Sequence, residues 1–237
     1  MQQKIVFKSQ GKKVSVILDV PLAAGKVPAL VLCHGFLGRK EQKLLSVFAH
    51  EFCKAGFLVF RFDFFGCNAN KPAKKIVGVH EHERQILDAL ALLRKMRGVD
   101  SKKIFIAGHS YGANICLLAA AHRKVAGVIL LAPGRKFEKY AHLFNNNTFK
   151  IFGRSFAVTK RAWRGWTETD LDDALAKIKC PLLVIAAGLD EYVPIKELKK
   201  RFSGKAKIEV FRSSDHLMHG FEEKAAKKAL KFITRIR

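Results

Sequence analysis

The chain has 237 residues, 49% of them hydrophobic, and its 44 Lys and Arg against 20 Asp and Glu give a formal charge of +24. This length and apolar share suit one domain with a sizeable core. No stretch approaches the length of a membrane span, and the first residues hold no apolar run long enough for a signal peptide, so a soluble cytoplasmic protein is expected.

The positive excess is +13 over residues 1–133, +4 over 134–177 and +7 over 178–237. This spread fits a generally basic surface and not a dedicated nucleic-acid site, although non-specific attraction to anionic surfaces follows from it. It predicts only a modest steering of anionic ligands, an effect of less than about tenfold between about 0.01 M and 0.15 M salt. Cys33, Cys53, Cys67, Cys116 and Cys180 are odd in number and scattered, mostly through apolar segments. They read as reduced core residues and not as disulfides or a metal site.

Residues 4–9 and 14–19 look extended and flank Gln10-Gly11, which suggests an antiparallel hairpin at a sheet edge. An apolar strand at 29–33 ends at His34-Gly35-Phe36-Leu37-Gly38. Within 41–54, Leu44, Leu45, Phe48 and Phe52 recur at helical spacing. A strand at 58–62 precedes a helix at 83–97, with Ile86, Leu87, Leu90 and Leu93 on one face. Ile104, Phe105, Ile106 and Ala107 form the short apolar run of a strand buried on both faces; the period then turns helical at Ile115, Leu118, Ala119 and Ala121. Strands follow at 125–131, 182–187 and 206–211, with helices at 195–202 and from 221 to about 236. Strands alternating with helices imply parallel pairing, so the fold class is α/β with a mostly parallel sheet.

Residues 135–177 break the alternation and carry Phe137, Tyr140, Phe144, Phe149, Phe152, Phe156, Trp163 and Trp166 around Asn145-Asn146-Asn147. An insertion after a strand's C-terminal end lies where open α/β sheets bind ligands. Two readings stay open: a small cap that walls a substrate site, or aromatics that merely anchor the excursion.

Gly108-His109-Ser110-Tyr111-Gly112 falls between the buried strand and the helix. There the pattern has a mechanism, because flanking glycines permit a sharp turn that exposes the serine hydroxyl above a helix N-terminus. A serine needs a base, and the base an orienting acid. Asp190 follows the strand at 182–187, and His216 follows the strand ending near Phe211, in the order Ser, Asp, His. His219 and Asp215 are nearby rivals; His216 comes sooner after its strand, and Asp215 adjoins it on an extended loop, where neighbouring side chains point apart.

With His34-Gly35-Phe36, Phe62-Asp63-Phe64-Phe65-Gly66, the Ser110 elbow, the Asp190 loop ending in Val193-Pro194, and Asp215-His216, the chain resembles an α/β-hydrolase along nearly its whole length. The excursion, with Phe149-Lys150-Ile151-Phe152-Gly153 leading into 155–160, is similar to the small cap of cinnamoyl and feruloyl esterase-like members. The resemblance implies helices on both faces of the sheet, a single domain over 1–237 with a small cap at about 135–177, and an oxyanion hole made by the backbone N–H groups of Phe36 and Tyr111. Two departures are Ala113, where many relatives have a second glycine, and Gly66-Cys67-Asn68 in place of Gly-His-Gly.

The resulting expectation is a serine esterase that acts on a small-molecule ester through an acyl-enzyme, with catalytic residues Ser110, Asp190 and His216 and with no metal or cofactor. A small-peptide or amide hydrolase on the same residues is the alternative, and a catalytically idle fold that binds anionic partners is the alternative of another class. His80 and His82 in His80-Glu81-His82-Glu83-Arg84 read as solvent-facing, because Arg84 stands where a second metal ligand would be needed. His109 reads as packed beside the serine, and Asp63 as a partner for backbone donors.

Overall fold

In a computed structural model, residues 1–67, 75–145 and 147–236 are described; Asn68 and Asn146 lie outside them. β1 (Gln2–Ser9) and β2 (Lys12–Asp19) form the antiparallel hairpin, and both turn residues, Gln10 and Gly11, take positive φ (49° and 74°). A turn with two left-handed residues matches the twist of the strands it joins.

β3 (Val27–Cys33), α1 (Lys43–Lys54), β4 (Leu58–Phe62), β5 (Lys75–Ile76), α2 (Val79–Lys95), β6 (Val99–His109), α3 (Tyr111–His122) and β7 (Gly127–Leu131) follow. The excursion holds a 3₁₀ turn (Phe137–Leu143), β8 (Phe144–Asn145), β9 (Thr148–Ile151), β10 (Arg154–Val158), α4 (Lys160–Glu168) and α5 (Leu171–Lys177). The chain closes with β11 (Leu182–Ala187), α6 (Ile195–Phe202), β12 (Lys207–Phe211) and α7 (Glu222–Ile233).

Eight strands make the main sheet in the order β1-β2-β4-β3-β6-β7-β11-β12; β1, β2 and β4 pair antiparallel and the rest run parallel. β3, β7, β11 and β6 from Ile104 onward are buried almost throughout because helices cover both faces. One face carries α1 and α7, whose Phe48, Phe52, Ala225 and Ala229 pack on Leu30, Leu32, Ile129 and Ile185. The other carries α2, α3, α5 and α6. α3 has no polar face: Tyr111 to Ala120 are all buried, with α2 and α5 on its flanks.

Parallel strands send all their C-terminal ends to one edge. The loops after β3, β6, β7, β11 and β12 therefore converge there and bring together residues as distant in sequence as Ser110 and His216. The second sheet, β5-β10-β9-β8, packs Phe149, Phe156 and Ile76 against Phe36 and Leu37 of the β3 loop. No helix among the described residues is long and apolar enough to cross a membrane.

Candidate active site

The strand-to-helix turn at Ser110 is forced by close backbone approach. Ser110 itself has φ 51° and ψ −115°, a conformation costly for a residue with a Cβ. A Cβ on Gly108 would overlap the Gly112 carbonyl, and one on Gly112 would overlap the His34 carbonyl oxygen, so glycine is required at both for packing and not for φ. The Ser110 amide donates to Leu131 O (2.9 Å), and its carbonyl accepts from Gly134 N–H (3.2 Å), which fixes the turn from the neighbouring strand.

Two further loops meet Ser110. Gly188 N–H donates to Phe211 O and Leu189 N–H to Ser214 O (both 2.8 Å), holding the β11 and β12 loops together. His216 Nε2 lies 2.8 Å from Ser110 Oγ, and its Nδ1 lies 2.7 Å from Asp190 Oδ2. The other Asp190 oxygen accepts the N–H groups of Tyr192 (2.9 Å) and Val193 (3.0 Å), so the fully buried carboxylate is satisfied and aimed. An imidazole between a hydroxyl and a carboxylate can take the hydroxyl proton, while the carboxylate stabilises the imidazolium.

The rivals stand apart from this set. Asp215 accepts from His219 at both backbone (2.9 Å) and Nδ1 (2.7 Å), an i,i+4 pair on the surface. His109 donates Nε2–H to the His216 carbonyl (2.8 Å), and burial brings its pKa down to about 4, so it is a neutral support for the His216 backbone.

The loop carrying Phe36 is tied down by buried charges. Asp63 accepts from Lys40 twice, at N (2.9 Å) and Nζ (2.6 Å), which extends its reading as a partner for backbone donors to a full ion pair. Arg61, inside β4, donates to Lys40 O (2.9 Å) and pairs with Asp19 (2.8 Å). His34 donates Nδ1–H to Gly35 O (2.7 Å) and accepts Phe64 N–H at Nε2 (2.9 Å); both contacts fit the neutral ring, whose pKa burial lowers. A Cβ placed on Gly35 would sit 3.4 Å from Ser110 Cβ, so the Gly35-Phe36 peptide runs beside the serine. Tyr111 begins α3, where first-turn N–H groups have no intrahelical acceptor.

Above the serine lies a cavity of about 770 Å³, lined among others by Phe36, Tyr140, Phe152, Trp166, Leu189 and Leu217. The aromatics of the excursion divide between the two readings. Phe149 and Phe156 are buried anchors, whereas Tyr140, Phe152 and Trp166 also reach the cavity. Trp166 stacks on Tyr111 (5.2 Å, 17°) and meets Phe36 edge-on (5.6 Å, 89°).

The reading of His82 as solvent-facing is wrong. His80 is exposed, but His82 is 1% exposed, accepts the Tyr111 hydroxyl at Nδ1 (2.6 Å) and donates Nε2–H to Phe65 O (2.9 Å). Burial holds its pKa at about 4. The helix starts at Val79 and not at Glu83, and in that phase His82 shares a face with Ile86, Ala89 and Leu93, the signal that identifies it as buried. Glu83 is likewise inside, accepting from His122 (2.5 Å) and His80 (3.1 Å). Lys40 and Arg61 also escaped the sequence reading; a lone arginine within the apolar run 58–62 was their one trace.

The family model of the serine aminopeptidase S33 hydrolases matches residues 26–170. The quorum-quenching protein AidA of Acinetobacter baumannii is 28% identical over 132 residues, 54% of this chain and 43% of that protein. Esterase EstD of Thermotoga maritima is 24% identical over 244 residues, 88% of this chain and 58% of that protein. The chain thus spans about half the length of these two curated relatives. Among solved structures, Est1E from Butyrivibrio proteoclasticus with ferulic acid bound is similar at TM-score 0.85 and 21% identity, covering 98% of this chain and 100% of that one. DcsB in complex with its substrate analogue reaches 0.81 at 18% identity, with 100% of both chains covered. These likenesses carry the fold, and since the matched family model covers more than half of its residues, the chain belongs to the serine aminopeptidase S33 family of α/β hydrolases.

Proposed function

We propose that this serine hydrolase cleaves carboxylic esters through an acyl-enzyme on Ser110. The observation that carries the reading is the continuous line of hydrogen bonds from Ser110 Oγ through His216 to Asp190, at the foot of a cavity large enough for a small molecule. Ser110 Oγ attacks the ester carbonyl as His216 Nε2 takes its proton. The N–H groups of Phe36 and Tyr111 then stabilise the tetrahedral oxygen as it becomes charged. The bond to the alcohol oxygen breaks, and His216 returns its proton to the leaving alcohol. Water, deprotonated by the same imidazole, releases the acid and restores Ser110.

The family's description and the same three residues also suit a small-peptide or amide substrate. The cavity speaks against an aminopeptidase, which must hold a substrate ammonium: on its lining Arg39, Arg135 and Lys139, which repel one, outnumber Glu191 and Asp215. Esterase EstD and Est1E with ferulic acid, among the similar proteins, support the same choice. Turnover of p-nitrophenyl acetate, with single labelling by a fluorophosphonate that disappears in Ser110→Ala, is the test. Label retained by that variant would refute the nucleophile; absent turnover and label in the wild type would favour a catalytically idle fold.

A further inference from the structure

We infer that the cavity is built for an ester bearing a second, anionic group, a carboxylate or phosphate, held by Arg135 with Arg39 opposite. The inference rests on the esterase reading for its chemistry, though not for its binding.

The topology places the two arginines. β6, which ends at the serine turn, lies between β3 and β7 in the sheet, and Arg39 and Arg135 are on the loops that follow those two neighbours. Both line the cavity, with Lys139 one turn further along. None of the three takes part in an ion pair among the described residues. This separates them from the neighbouring Lys136 and Arg201, which both pair with Asp172.

Arg135 is the best defined. Its carbonyl accepts from Asn114 Nδ2 (2.8 Å), and its backbone also hydrogen-bonds the Tyr140 hydroxyl. Asn114 sits in the first turn of the serine helix, so the Arg135 backbone is tied directly to the nucleophile's own element. Its Nε is buried with no hydrogen-bond partner among the described residues. A buried guanidinium N–H without an acceptor is costly, and an oxyanion supplies the fork-shaped acceptor that arginine fits. On the other side, Lys40 is anchored to Asp63, which fixes the backbone from which Arg39 projects.

The lining also carries two carboxylates, Glu191 and Asp215, which are drawn to Tyr192 and His219. Arg39, Arg135 and Lys139 outnumber them, so the lining is net positive, independent of how the +24 is distributed over the surface. Local contact differs from long-range steering in its response to salt: a partly buried pair keeps its preference at about 0.15 M, where exposed charges are screened beyond about 8 Å.

The experiment compares kcat/KM for 4-acetoxybenzoate with that for its methyl ester, at about 0.15 M salt. A monoaryl adipate and its methyl ester place the anion on the acyl side, and 4-acetoxyphenyl phosphate replaces carboxylate by phosphate. At least one anionic member should be preferred over its neutral partner by about tenfold or more, the value of a charge-assisted hydrogen bond. Arg135→Gln should lower that ratio about 10- to 100-fold, Arg39→Gln less, and Lys231→Gln on α7 should leave it unchanged. Binding of the same esters to Ser110→Ala, by calorimetry, gives a readout that does not need turnover. A ratio near one for all pairs, or one unaffected by Arg135→Gln, overturns the inference while the esterase reading stands. Loss of turnover and label with the binding preference intact overturns the esterase reading alone.

Discussion

Replacing Trp166 by alanine should injure stability and chemistry together. Trp166 is 2% exposed and touches the rings of Phe36, Tyr111, Phe137, Tyr140, Phe144 and Phe149 at centroid distances from 5.2 to 6.2 Å. Truncating a buried aromatic of this size costs about 3–5 kcal/mol. Its indole N–H, however, is buried without a partner among the described residues, and removing an unmet donor returns about 1–3 kcal/mol. The expected net loss is about 2 kcal/mol, or a fall in Tm of about 4–8 °C for a chain of this size. Trp166→Phe keeps a ring, sheds the unmet donor and should stay within about 1 kcal/mol of the wild type. The two rings that Trp166 braces, Phe36 and Tyr111, belong to the residues whose N–H groups are proposed to meet the oxyanion. A displacement of about 1 Å there should lower kcat for p-nitrophenyl acetate about 10- to 100-fold in Trp166→Ala. Thermal melts and steady-state kinetics on both variants decide the matter. A Trp166→Ala enzyme that loses stability yet keeps wild-type kcat would refute the link between the aromatic cluster and the reacting centre.

Asp190→Asn should retain its circular dichroism spectrum and lose about 10⁴-fold in kcat, whereas His219→Ala, on the surface pair with Asp215, should lose less than tenfold; the opposite ranking would move the base to the other histidine. Ser110→Gly should abolish turnover and raise stability by about 1–2 kcal/mol in urea melts, because glycine tolerates φ 51°; an unchanged midpoint would show that no strain is held there. His82 and His109, neutral when folded with pKa values of about 4, take up protons more readily when unfolded, so their contribution is present above about pH 6.5 and is lost as pH falls towards 4. Between pH 8 and 5 each should cost about 2 kcal/mol, and urea midpoints of His82→Gln should show a shallower decline; an identical slope would exclude that histidine as its source.

The sheet was readable because its strands are apolar runs of four to six residues set between helices with one clear apolar stripe. The strand at 58–62 and the helix at 195–202 fall as read, and the hairpin differs only by two residues at its ends. Ser110, Asp190 and His216 could be named because each follows a strand, and parallel strands must end at one edge. What stayed hidden is polar and buried. Lys40, Arg61, His82 and Glu83 look like surface residues until a partner is known, and each has one far off in sequence: Asp63, Asp19, Tyr111 and His122. The aromatic excursion was legible as an insertion but not in its division, since whether Phe149 is covered and Phe152 open depends on a hairpin turn with positive φ at Phe152 and Gly153.

Phe36 stands at the crossing of these two systems: its ring touches Tyr111, Phe149, Phe156 and Trp166, while its own N–H is one of the two proposed to meet the oxyanion. Substrate range can therefore be altered cheaply only from the outside inwards. Exchanges at the exposed rim, at Phe152, Leu189 and Leu217, reshape the entrance and leave Phe36 seated, whereas Tyr192, also exposed, meets the His216 ring edge-on (4.8 Å). Exchanges at Tyr192 or among the inner rings alter the cavity and the reacting centre in one stroke, so a laboratory search for new substrates would gain most from libraries confined to those three positions.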